Sequence, residues 1–138
     1  MSNPADAIGN NATFDPASAL SWFTRLAWLG IAANFALGLA GIIYPEFVLR
    51  FLDLEPAVPL VWPRFAAFLL ILLSVFYIPG ATDPIGQRFA AVFSVVCRLV
   101  AVGFFGIVGG GYVIFGLYDL AFGLPQAILL YRARPLLR

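Results

Sequence analysis

Four long apolar runs, separated by short polar or proline-containing stretches, make up most of this chain. They cover about residues 20–43, 60–78, 87–108 and 112–131. A helix needs roughly 20 apolar residues, at a rise of about 1.5 Å each, to cross the hydrocarbon core of a bilayer. Each run is of that order, so the pattern predicts an all-α integral membrane four-helix bundle. The tight turn expected at Gly109–Gly111 would return the fourth span antiparallel to the third.

A short amphipathic segment, PEFVLRFLDLEP, separates the first two runs. Its apolar residues, such as Phe47 and Phe51, alternate with charged ones, such as Glu46 and Arg50, and it is too short to cross a membrane. The pattern predicts a short interfacial helix between spans 1 and 2. Two interpretations stay open: a connector that seals the bundle, or a gate or docking surface.

The two ends of the chain are less apolar than its middle. We interpret residues 1–19 as a flexible N-terminal tail, 20–131 as the four-span membrane domain and 132–138 as a basic C-terminal tail. The N-terminal residues lack the basic and apolar regions of a secretory signal peptide. The Asp15-Pro16 pair suits the start of the first helix, because Asp favours a helix cap and Pro the first turn.

Composition narrows the possible chemistry. The chain is 62% hydrophobic and 11% charged, whereas soluble domains average about 25% charged residues. It has no His and a single Cys, Cys97, which excludes a bis-His haem, a His-ligated metal site, a Ser-His-Asp triad and an internal disulfide within this chain. No basic patch with interleaved aromatic residues indicates nucleic-acid binding. The sequence therefore predicts no catalytic residue and no metal site, and favours a non-enzymatic protein whose partner is the lipid bilayer.

The basic residues, all Arg, are distributed unevenly between the two faces of the predicted bundle. Four spans place both termini on one face, which carries five of these residues: Arg25, Arg88, Arg132, Arg134 and Arg138. The opposite face carries Arg50 and Arg64. Because basic residues are enriched on the cytoplasmic side of membrane proteins, this asymmetry predicts cytoplasmic termini.

Arg98 and Asp119 lie deep inside the third and fourth runs. A charged side chain at the centre of a bilayer costs on the order of 3 kcal/mol or more, so it normally has a partner. Measured from the glycine turn, Arg98 lies about 15 Å and Asp119 about 10 Å into its helix. An Arg side chain can span that difference, so we predict an ion pair. The pair either fixes the register of the two helices or belongs to an intramembrane pocket.

Other polar residues of the spans could line such a pocket. Asn34 either forms a hydrogen bond between helices or faces a polar cavity. Arg64 either extends to the headgroups or contacts an anion or a headgroup inside the bundle. The remaining candidate ligand residues are Tyr77, Ser94 and Gln126.

Several stretches together resemble a known family. The four short spans, the Pro-bounded interfacial segment and the stretches WPRFAAFLLILLSVFYIPGATDP, SVVCRLVAVGFFGIV and LYDLAFGLPQ resemble the DoxX-like small bacterial membrane proteins over roughly residues 20–131. The resemblance implies a four-helix, multi-pass protein of the bacterial inner membrane, and a subunit or partner of membrane redox systems such as thiosulfate–quinone oxidoreduction. It supplies no catalytic role for Arg98 or Asp119. Because the chain has no His and a single Cys, any redox cofactor would be held by a partner, or would be a quinone bound without those ligands.

Three functions are compatible with these features. The first is an accessory or anchoring subunit, which would bind other membrane subunits or further copies of itself. The second is a small-molecule or proton-coupled transporter that uses Arg98 and Asp119. The third, an enzyme acting on a lipid or quinone near Arg64 and Arg98, ranks last, because the spans contain neither a carboxylate pair nor an activated nucleophile.

Overall fold

The computed structural model describes residues 15–137, which are almost entirely helical. The α-helices are α1 (Pro16–Ile43), α2 (Pro45–Phe51), α3 (Val61–Thr82), α4 (Arg88–Val108) and α5 (Val113–Ala133), with 3₁₀ turns at Gly110–Tyr112 and Arg134–Leu136. Four of these helices, α1, α3, α4 and α5, are long and apolar enough to cross a membrane. The predicted all-α architecture of a multi-pass membrane protein is therefore confirmed.

The four spanning helices form a bundle in which each contacts two neighbours. Helix α1 packs against α3 and α5, and α4 packs against the same two helices. Helices α1 and α4 therefore occupy opposite corners of the bundle. At the face that holds both chain ends, Arg88 Nη1 donates a hydrogen bond of 3.0 Å to the carbonyl oxygen of Leu137. Helix α2 lies at the other face.

The interior of the bundle is built mostly from small and polar residues with a few large ones, of which Phe23 is fully buried, while most large apolar side chains point outwards. The buried positions of the spanning helices are mostly glycine, alanine and serine, among them Gly30, Gly38, Ser74, Gly80 and Gly123. Large residues such as Phe76, Phe89 and Ile107 are strongly exposed. Lipid tails are as apolar as leucine, so helices in a bilayer associate through close backbone approach at small residues. This distribution is the one expected of a bundle solvated by lipid.

The helix boundaries depart from the predicted ones at proline and at the chain ends. Helix α1 begins at Pro16, so residues 16–19 of the predicted tail are helical, while residues 1–14 lie outside the described range. Helix α3 continues through Pro79 to Thr82, four residues beyond the predicted end of this run at about residue 78. Pro79 removes one N–H donor and its ring crowds the carbonyl four residues before it. Its carbonyl still accepts a 2.9 Å bond from the Asp83 amide, so the last turn stays closed.

The last span and its tail also extend further than predicted. Helix α5 continues through Pro125 and ends at Ala133, and the following residues form a 3₁₀ turn. The first two residues of the predicted basic tail are therefore part of the spanning helix. The preceding glycine turn is confirmed: Gly109 and Gly110 have φ of 71° and 59°, a left-handed region that glycine adopts without steric cost.

The predicted short helix between the first two spans is confirmed as α2, which has seven residues. Its Phe47 and Phe51 rings stack with centroids 6.0 Å apart and are 65% and 77% exposed. Within this helix only Pro45 is buried. The Phe47 and Phe51 rings are therefore not packed into the core of the bundle.

Candidate functional site

An ion pair lies inside the bundle. Arg98, on the inner face of α4, is 2% exposed, and its Nη1 lies 3.0 Å from Oδ1 of Asp119 on α5, which is 18% exposed. The ion pair predicted from helix depth is therefore confirmed. The glycine turn makes α4 and α5 neighbours, and that adjacency lets a long Arg side chain compensate for the difference in depth between the two residues.

Aromatic rings and glycines form the remaining walls around the Arg98 side chain. Its guanidinium carbon lies 5.1 Å from the ring centroid of Phe122 and 5.7 Å from that of Tyr77. Such cation–π contacts stabilise a desolvated cation by about 2 kcal/mol. A Cβ added to Gly123 would lie 3.0 Å from Arg98 Cβ, and one added to Gly30 would lie 2.7 Å from Nη2. The side chain thus passes along Gly123 and reaches α1 at the opposite corner of the bundle.

A second polar contact lies beside the ion pair and joins α5 to α1. The hydroxyl of Tyr118 donates a 2.7 Å hydrogen bond to Oδ1 of Asn34, which is 2% exposed. The interpretation of Asn34 as a bond between helices is therefore confirmed. Nearer the terminal face, Gln126 Nε2 donates a longer bond, 3.4 Å, to the carbonyl oxygen of Leu26. Both bonds stabilise the contact between α1 and α5.

The structure brings four of the candidate residues together and leaves the other three apart from them. Asn34, Tyr77, Arg98 and Asp119 come together in the middle of the bundle, one from each spanning helix. Ser94 is buried but donates to Ala91 O at 2.8 Å, within its own helix. Gln126 lies about 10 Å from Asp119 along α5. Arg64 is not part of this cluster, because it is exposed at the start of α3, next to α2.

The sequence did not single out two members of this site, Tyr118 and Phe122. Aromatic residues are common throughout these spans, and nothing distinguishes these two before the rotation of α5 is known. One available signal was spacing: Phe122 lies three residues after Asp119, and side chains three or four residues apart meet on a helix. Tyr118, adjacent in sequence to Asp119, carries the one hydroxyl that reaches Asn34.

The ion pair does not use all of the hydrogen-bonding capacity of Arg98. A guanidinium has five N–H donors, and the hydrogen bond found here joins Nη1 to Asp119. The buried Nε has no partner among the described residues. Asp119 neutralises the charge, while the Nε–H group could bond a water molecule or a small polar ligand. Among the described residues, the arrangement of Arg98, Asp119, Tyr77 and Phe122 can bind a polar group and compensate its charge.

No family model, no curated protein and no solved structure matches this chain significantly.

Proposed function

We propose that this chain is a non-catalytic integral membrane protein that serves as an accessory or anchoring subunit of a bacterial membrane complex. Its interior is occupied by small residues and by an ion pair that largely neutralises itself. The contacts available to another protein therefore lie on the outer faces of the helices. This proposal agrees with the resemblance to the DoxX-like proteins, and a redox complex is the assembly that the resemblance favours.

The observation that carries the proposal is a pair of glycines on the outer side of α4. Glycines in α1, α3 and α5 pack against neighbouring helices, as Gly30, Gly80 and Gly116 do. A Cβ added to Gly103 or Gly106 would meet nothing within 4 Å. Three residues apart, these glycines lie on one face and form an outward notch. A lipid tail makes no additional favourable contact in this notch, whereas the backbone of a second helix can approach closely there.

The distribution of Arg residues supports an orientation for the proposed subunit. Arg25, Arg88, Arg132 and Arg134 lie at the face that holds the chain ends, and Arg50 and Arg64 lie at the other. We therefore propose that both termini are cytoplasmic in a bacterial inner membrane. A reporter enzyme active only in the cytoplasm, fused to the C-terminus, should be active. The same reporter inserted after Glu55 should be inactive, and the reverse result would contradict the orientation.

The subunit role can be tested with matched substitutions on α4. The tagged protein, extracted from native membranes in mild detergent, should co-purify with another subunit or with a second copy. Gly103→Leu and Gly106→Leu fill the notch and should abolish that association. Val100→Leu and Ile107→Leu, which enlarge or reshape exposed residues beside it, should leave the association intact. A wild-type protein that is always alone and monomeric would overturn the proposal.

A transporter is the second candidate, because the central ion pair is not fully sealed. Asp119 keeps 18% exposure and Arg98 Nε has no partner among residues 15–137. A charge that changes partners inside the membrane is a common device for moving protons or ions. Liposomes containing the protein should then show a flux that Asp119→Asn removes. Asp53→Asn is the matched control, since that acid is exposed outside the spans. Flux that is absent, or equal in both variants, would exclude this function.

A further inference from the structure

A second candidate binding site lies far from the central ion pair, at the face opposite the chain ends. There the end of α1, the short helix α2 and the start of α3 enclose an open cavity of ≈ 710 Å³. Nine residues line it: Ile43, Tyr44, Pro45, Glu46, Phe47, Arg50, Phe51, Leu60 and Arg64. Because α1 ends and α3 begins at this level, the cavity lies at the depth of the lipid headgroups.

Two unpaired cations distinguish this cavity. Arg50 and Arg64 both line it, and neither guanidinium has a hydrogen bond or an ion pair with any of residues 15–137. Glu46 is the acid in the lining, and it forms no ion pair with either Arg. Two guanidinium groups against one carboxylate leave the cavity with a positive charge. Guanidinium groups match the geometry of a phosphate through parallel, charge-assisted N–H···O bonds.

The remaining walls of the cavity are apolar and continue to the outside of the protein. Phe47 and Phe51 are stacked and exposed on the outer side of α2, and Ile43 is 57% exposed at the end of α1. A ligand held by the two Arg residues would therefore have apolar surface beside it, on the side open to lipid. A phosphate ion would leave this surface unused, whereas a molecule with an anionic head and acyl chains would cover it.

We propose that this cavity binds an anionic phospholipid of the leaflet opposite the chain ends. The phosphodiester lies between Arg50 and Arg64, and an acyl chain follows Phe47 and Phe51. This site goes beyond the subunit role and does not depend on it, because the outward glycines of α4 take no part in the cavity. Bound lipid would hold α2 against the start of α3, since the two Arg residues come from these two elements.

The test is native mass spectrometry of the full chain in a neutral detergent, with lipid added at known concentrations. Wild-type protein should retain phosphatidylglycerol more strongly than phosphatidylcholine. Removing a surface cation weakens binding of anionic lipid by roughly fivefold, so Arg50→Gln with Arg64→Gln should lower retention by roughly 25-fold. The matched control, Arg25→Gln with Arg134→Gln, removes two exposed Arg residues from the other face and should change retention of this lipid little.

Further measurements identify the source of the phosphate and test whether the variants are folded. Arg50→Lys with Arg64→Lys keeps the charge and should retain more lipid than the Gln pair, with an unchanged helical circular dichroism spectrum. Inorganic phosphate should compete only at concentrations far above those of the lipid. Equal losses of lipid retention in the Gln pair and its control would overturn the site. Inorganic phosphate that binds as tightly as the lipid would overturn the choice of ligand.

Discussion

Gly30 and Arg98 meet across the diagonal of the bundle, where the guanidinium occupies the space that a side chain on Gly30 would fill. A Cβ at Gly30 would lie 2.7 Å from Nη2 of Arg98 and 3.3 Å from the Phe122 ring. The absence of a side chain on α1 thus provides the space for the buried cation of α4. Gly30 of α1 and the ion pair of α4 and α5 are therefore parts of one arrangement.

Enlarging Gly30 should therefore destabilise the protein. The Arg98 head cannot move away freely, because Asp119 holds one side of it and Phe122 covers another. Overpacking of this kind costs about 1–3 kcal/mol, so Gly30→Ala should lower the midpoint of thermal unfolding in detergent, and Gly30→Val should lower it further. Gly103→Ala, which adds a methyl group in open space, is the control. Equal midpoints for Gly30→Ala and this control would contradict the tight contact.

The ion pair should show strong coupling between its two members. Asp119→Leu alone leaves a buried cation without a partner, which costs about 3–5 kcal/mol. Arg98→Met alone leaves the carboxylate, which should cost less because Asp119 keeps 18% exposure. The double variant carries no buried charge and should be more stable than Asp119→Leu. The free energy of unfolding in a mixed-detergent titration measures all three, and additive losses would show that the pair is not coupled.

The Tyr118–Asn34 bond should contribute modestly to the packing of α5 against α1. Hydrogen bonds between membrane helices average about 0.6 kcal/mol and reach about 1.7 kcal/mol, and Tyr118→Phe removes only the hydroxyl. We expect a loss within that range, and almost none when the same change is made in a protein that already carries Asn34→Ala. Tyr112→Phe, in the 3₁₀ turn that precedes α5, is the control. A Tyr118→Phe effect that persists without Asn34 would assign the hydroxyl to another partner.

Gly80 should be the glycine at which substitution is least tolerated. A Cβ there would overlap the backbone nitrogen of Ala91 on α4, and a backbone cannot turn aside as a side chain can. Gly80→Ala should therefore separate α3 from α4 and greatly reduce the yield of folded protein. Gly106→Ala, in open space on α4, should fold normally. The fraction of protein that elutes as a single species on size-exclusion chromatography distinguishes the two.

The features that were predictable from sequence are those that depend on length and depth. Four apolar runs give four spans because bilayer thickness sets the number of residues. Arg98 and Asp119 could be paired because the glycine turn makes their helices neighbours and gives both residues a common reference point. The end of α3 lies beyond the apolar run, because a helix can continue past the missing donor of Pro79 when its other carbonyls remain bonded.

The contacts of the remaining site residues depend on how each helix is rotated about its own axis. The lengths of the apolar runs do not determine that rotation. Asn34 and Tyr118 belong to the first and last spans, and their contact requires α1 to lie beside α5. Tyr77 faces Arg98 only in one rotation of α3. Arg64 was grouped with these residues as a polar residue of a span. Its position at the start of α3, beside α2, places it in the cavity between α1, α2 and α3 instead.

The inverted packing of this bundle has a consequence for how its sequence can change. In a soluble domain, large apolar residues are the least replaceable, because they fill the core. Here Phe76, Phe89 and Ile107 face outwards, and one apolar residue there should serve as well as another. The positions that resist change should be the buried glycines, such as Gly30 and Gly80, together with the few large buried residues, such as Phe23. Tolerance to substitution along this chain should therefore follow exposure on the outer faces of the helices rather than the size of the native side chain.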